Sequence, residues 1–187
     1  MLNGVSKSYP SLYSFDRVTK IIFSFIIVTI ASQIKIFLPF SPVPITGQTF
    51  GIFLVSLLFG KESLFSIFLF IVLGVLGLPL FAVRNIFSVF SPTYGYIIGF
   101  LISSFIIVNF KEHFKNRMIP LLIFCNLIIY LLGSLYLYIF FLCFTHTNLN
   151  FSKILNIGVF PFIFGDLLKD FFVLLFYKIY SKNNTEG

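Results

Sequence analysis

Asp166 and Lys169 lie three residues apart in the run PFIFGDLLK, residues 161–169. On a helix that spacing puts both side chains on one face. The surrounding residues are apolar enough to place that face inside a membrane span. An ion at the bilayer centre costs about 2.5–3.5 kcal/mol on insertion scales. Residues kept there turn inward, pair with one another and mark a ligand path. The competing reading is a structural ion pair, which says little about purpose. Asp170 follows toward the cytoplasmic half, with no assigned role.

Two further clusters have chemical content. The run SPVPITGQ, residues 41–48, holds two prolines that cannot sit in a continuous helix. Non-helical backbone at membrane depth survives only where protein or a cavity covers it. Thr46 and Gln48 could then bond the freed backbone or a ligand; the alternative is an external turn with Thr46 as helix cap. The other cluster is GLPLFAVRN, residues 77–85, followed by SPTYGY, residues 91–96. Glycine and proline at both ends suit a loop that covers a site. Arg84 and Asn85 could reach a carboxylate or an amide, unless Arg84 is only a solvated loop charge.

Other candidates are weaker. His113 sits in a basic loop, and His146 lies near Cys143. One His and one Cys do not make a metal site, and no metal, cofactor or catalytic residue is expected. Cys125 and Cys143 have neither zinc spacing nor a disulfide framework. Gly60-Lys61 is followed by Glu62 and lacks the upstream glycine of a Walker A loop.

The elements that must position these residues follow from the uncharged intervals. Residues 36–60, 63–83, 85–110 and 118–152 contain no Asp, Glu, Lys or Arg. A span needs about 20 apolar residues. Six helices are expected, at about 18–35, 47–60, 63–78, 94–110, 118–143 and 160–180, with Lys35 ending the first and Pro79 the third. Glycines 74 and 77, and the Gly95-x-x-x-Gly99 pair, suit close helix contact. The fold class is therefore an all-α integral membrane protein of six transmembrane helices. Composition agrees: 58% of residues are apolar and 10% charged, against about 25% charged in soluble domains. Mean hydropathy is +1.03. No soluble domain is left over, so residues 1–187 read as one transmembrane unit. Residues 1–16 are mixed and polar, so no cleavable leader is expected.

The net charge of +7 would suggest nucleic acid in a soluble protein. Here topology explains it. With the N-terminus inside, Lys7, Arg17, Lys20, Lys61, Lys111, Lys115, Arg117, Lys178 and Lys182 are cytoplasmic; only Lys35, Arg84 and Lys153 are outside. Nine against three favours cytoplasmic tails at about 1–17 and 181–187. No nucleic acid partner is expected.

Taken in order, FLPFSPVPITGQTF, GVLGLPLFA, SPTYGYIIGF and PFIFGDLLK resemble the BioY family over about residues 37–170. Members are biotin-binding S components of energy-coupling-factor (ECF) transporters in the bacterial cell (inner) membrane. The resemblance implies an S-component-like six-helix bundle with a pocket near the external side. It also implies a membrane scaffold partner and two cytoplasmic ATPases, with membrane lipid as surroundings. The family has small glycines where this chain has Val83-Arg84-Asn85 and Tyr94, so its lid is bulkier and more charged. The candidate ligand set is Asp166, Lys169, Asn85, Arg84, Thr46, Gln48, Thr93 and Tyr96, of which the resemblance implies Asp166 and Lys169 at the ligand. Biotin has apolar fused rings, a ureido group with two N–H donors and one carbonyl, and a carboxylate tail. A mostly aromatic pocket with few convergent polar groups suits it. Asp166 can accept a ureido N–H, Lys169 can donate to the ureido oxygen or the carboxylate, and Arg84 can attract the carboxylate. The alternatives are an S component for another small vitamin, or an integral-membrane enzyme using Asp166 and His146.

Overall fold

The computed structural model describes residues 11–82, 91–114, 117–147 and 149–185. It has six long or medium helices and one short one: α1 (Ser11–Gln33), α2 (Gln48–Phe59), α3 (Lys61–Val75), α4 (Tyr94–Phe110), α5 (Met118–Phe144), α6 (Phe151–Gly158) and α7 (Phe160–Thr185). A two-stranded hairpin, β1 (Lys35–Ile36) and β2 (Ile45–Thr46), lies between α1 and α2. The six expected helices are present, but several limits differ. Helix α1 begins at Ser11 rather than 18, and α7 runs to Thr185 rather than 180. Charged residues mark where a helix leaves the hydrocarbon, not where it stops. Lys20 Nζ, for example, meets Asp16 at 2.7 Å one turn away on α1. Helix α6 was not expected; its eight residues fall between the expected helices at 118–143 and 160–180.

Local chemistry explains the breaks. Helix α3 is ended by Gly77, not by Pro79. Gly77 takes φ +100°, its N–H bonds Gly74 O at 3.2 Å, and Leu78 N–H bonds Leu73 O at 3.1 Å. That is the Schellman arrangement, whose left-handed residue favours glycine. Gly60, at φ +62°, separates α2 from α3. There Lys111 Nζ donates to Leu57 O at 2.8 Å, closing the end of α2. Burial lowers the Lys111 ammonium from its ordinary range.

Buried polar residues share the apolar core, and the outer face is apolar. On α5, Leu127, Leu131 and Leu135 are exposed at i, i+4 spacing, while Asn126, Tyr130 and Ser134 face inward. Serines 24, 32, 56, 63, 66, 103 and 104 are buried too. Some of them tie helices together: Ser66 Oγ donates to Ile21 O at 2.7 Å, and Ser103 Oγ to Cys125 O at 3.0 Å. A bilayer supplies no hydrophobic drive between helices, so such bonds and close packing hold the bundle. Helix α4 runs along α5, α1 packs on α2 and α3, and α2 is enclosed by α1, α4 and α7.

Gly95 and Gly99 do serve a close crossing. A Cβ on Gly95 would meet Leu132 O, and one on Gly99 would come within 2.8 Å of Ile129 Cα. Gly133 on α5 leaves room for the Tyr96 ring in the same way. Gly74 has a different use from the one expected: it seats the ring of Phe81 from the following loop, not a helix.

Candidate functional site

The proline-rich run folds into a hairpin ahead of α2, which has only 12 residues. At 1.5 Å per residue it covers about 18 Å, less than the roughly 30 Å hydrocarbon core. Its freed backbone groups are bonded. Lys35 pairs with Thr46 and Ile36 with Ile45, antiparallel, and Gly47 N–H reaches Ile34 O at 2.9 Å. Ser41 Oγ donates to Ile157 O at 2.6 Å, pinning the hairpin to α6. Gly47 occupies the N-cap of α2, so the expected Thr46 cap is corrected. Thr46 Oγ1 instead accepts from Gln48 N–H at 3.3 Å and donates to Gln48 Oε1 at 3.2 Å.

The hairpin, α2, α4, α5 and α7 surround a cleft of about 570 Å³, its open mouth included. Val43, Pro44, Phe81, Ala82, Ile97, Phe100, Ile129 and Phe162 supply most of its wall. Tyr96 stands against Phe162 with ring centroids 6.2 Å apart and donates its hydroxyl to Gly158 O at 2.7 Å. This bond gives α6 its part in the site. The polar lining is Thr46, Gln48, Thr49, Thr93, Tyr96, Tyr130, Asp166 and Lys169. Six of the eight residues expected from sequence therefore converge on one cleft. Arg84 and Asn85 lie outside the described residues.

Loop residues 80–82 are held over the cleft from the α1 side. Lys35 Nζ donates to Ala82 O at 2.6 Å, and Gln33 Nε2 to Leu80 O at 3.1 Å. Lys35 was expected to end helix one; it lies in β1 and anchors this loop. On the other side Thr93 Oγ1 meets Ser91 Oγ at 2.8 Å at the start of α4.

The charged end of the cleft is a three-residue chain. Asp166, 5% exposed, receives Lys169 Nζ on Oδ1 at 2.7 Å and the Tyr130 hydroxyl on Oδ2 at 2.6 Å. Both bonds are charge-assisted, the stronger kind. Lys169 is partly exposed and has three N–H donors, of which this pair uses one. The arrangement presents a fixed anion and an ammonium side by side in an apolar cleft. It can hold a neutral polar ring or a carboxylate. Tyr130 was missed from sequence. The signal available was the i, i+4 pair Asn126 and Tyr130 in an otherwise apolar span.

The sequence profile of the BioY family matches residues 7–184. The chain belongs to the BioY family. Among BioY relatives, biotin transporter BioY2 of Lactococcus lactis is 31% identical over 156 residues, covering 80% of this chain and 81% of that protein. A probable biotin transporter BioY of Pyrococcus horikoshii is 34% identical over 146 residues, covering 75% and 81%. The fold is similar to that of a crystal structure of the S component for biotin from an ECF-type ABC transporter. The TM-score is 0.79 at 24% identity, over 94% of this chain and 95% of that one. The BioY fold is thus an all-α membrane bundle, as the residue pattern implied.

Proposed function

We propose that this chain is the biotin-binding S component of an ECF transporter, acting in transport and not as an enzyme. The observation that carries this reading is the apolar cleft ending in the Tyr130–Asp166–Lys169 chain. A fused apolar ring system with a ureido group fits an aromatic wall with a few fixed polar groups. Asp166 accepts a ureido N–H, and Lys169 donates to the ureido oxygen or the carboxylate. Thr46, Gln48, Thr93 and Tyr96 complete the contact set, with Arg84 and Asn85 as further proposed contacts. The chain works as a single transmembrane substrate-binding domain in the bacterial cell membrane. A membrane scaffold protein and two cytoplasmic ATPases energise it.

The test is the ligand that co-purifies with the full chain in detergent, identified by mass spectrometry and confirmed by calorimetric titration. Intact biotin, bound again after removal, is the expected result. A different vitamin, or a chemically converted product, would overturn the assignment.

Orientation is tested separately. The proposed orientation has both termini in the cytoplasm, supported by nine inside against three outside basic residues. With Cys125 and Cys143 removed, Gly4→Cys and Asn184→Cys proteins should resist an impermeant thiol reagent in intact cells. Rapid labelling at either position would reverse the topology.

A further inference from the structure

Outside the cleft, α7 and α5 share a second polar pair. Asn126 Nδ2 donates to Asp170 Oδ2 at 2.8 Å, and both residues are 4% exposed. Among the described residues, four buried side-chain oxygens have no partner, and two of these belong to this one pair: Asn126 Oδ1 and Asp170 Oδ1. The two flat groups are already joined by one hydrogen bond, and a hydrogen shared by their orphaned oxygens would give each a partner. An ionised carboxylate with one neutral donor would also be costly at this depth.

Among the described residues no cation forms an ion pair with Asp170. On α7, Lys169 is committed to Asp166 at 2.7 Å. Asp166 itself is one helical turn from Asp170, so a second anion would repel the first. On α5 the nearby titratable groups are Cys125 and Tyr130, and Tyr130 already bonds Asp166. Tyr96 of α4 is spent on Gly158 O. Neither α2 nor β2 carries an ionisable residue, and the only one on α6, Lys153, is exposed.

We propose that Asp170 carries a proton on Oδ1 and donates it to Asn126 Oδ1, closing a two-bond acid–amide ring between α7 and α5. One proton satisfies both orphaned oxygens. It also leaves Asp166 as the sole anion beside Lys169. Asp170 is therefore a positioning residue for the ligand cleft, acting through Lys169 and the α5–α7 contact.

Infrared spectroscopy of the full chain with isotope-labelled aspartate tests the proton. The wild type should show a protonated-carboxyl C=O band at neutral pH. Asp170→Asn should remove the band, and Asn126→Leu should shift it to higher frequency as the acid loses its partners. Sodium should leave it unchanged. Asp170→Asn should keep biotin affinity within about threefold, because its amide N–H replaces the acid proton and preserves both bonds. Asp170→Leu, which strands the Asn126 amide, should weaken binding by about tenfold or more. Absence of the band, its loss on adding sodium, or an Asp170→Asn protein that misfolds or binds about tenfold weaker would overturn the proposal. The affinity readings rest on the biotin assignment; the infrared readings do not, so a wild type that ignores biotin leaves the proton still decided.

Discussion

Replacing Asp166 with Asn should lower biotin affinity by roughly 10- to 150-fold, because a charge-assisted hydrogen bond contributes about 1.5–3 kcal/mol and 1.4 kcal/mol is tenfold. The substitution keeps the shape but removes the anion that Lys169 Nζ and the Tyr130 hydroxyl both address. Lys169→Met should weaken binding similarly while leaving the protein extractable. Tyr130→Phe should act in the same direction more mildly, since it loosens Asp166 without removing it. A purely structural pair makes a different set of results. Each single change would strand a buried partner, at about 3–5 kcal/mol, and unfold the protein. The Asp166→Asn/Lys169→Met double variant would then regain folding and binding together. Calorimetric titration of both single variants and the double variant separates the cases. Near-native affinity in a well-folded double variant would rule out direct ligand contact.

Gly95→Ala should be among the most damaging small changes in the bundle. Its new Cβ would fall on the Leu132 carbonyl and Tyr136 Cβ across the α4–α5 contact. Backbone cannot swing aside as a side chain can, so the helices must part. Overpacking of this kind costs about 1–3 kcal/mol. Parting α4 from α5 also moves Tyr96 away from Gly158 O, so ligand binding should weaken along with stability. Gly165→Ala is the control. No atom lies within 4 Å of a Cβ there, and the site is mid-helix. Alanine exceeds glycine in helix propensity by about 0.8–1.0 kcal/mol, so this change should be neutral or stabilising. Thermal melts of the detergent-solubilised proteins, followed by size-exclusion chromatography, compare the two. A Gly95→Ala protein that melts with the wild type would contradict the tight crossing.

These two glycines show how far sequence reading reaches. The Gly95-x-x-x-Gly99 spacing pointed to a close helix contact, and Gly165 had no such spacing, but which helix Gly95 meets and how tightly came only from the packing of α4 on α5. The charged pair was easier. Asp166 and Lys169 are close in the chain, and helical spacing alone puts them together. Asp170 was visible as a residue but had no readable role, because its partner Asn126 is 44 positions away on another helix.

Hydrophobic run length and charge placement determined the membrane class, the number of long helices and the inward face of α7, because the cost of burying charge in lipid acts on each segment separately. Motif order carried the family resemblance. Tertiary structure decided what depends on approach between distant segments. It folded the proline run into a hairpin pinned to α6, put Tyr130 on Asp166 and paired Asn126 with Asp170. Hydrogen bonds act over about 3 Å. Sequence periodicity says which way a side chain faces, but the crossing of two helices decides what it meets.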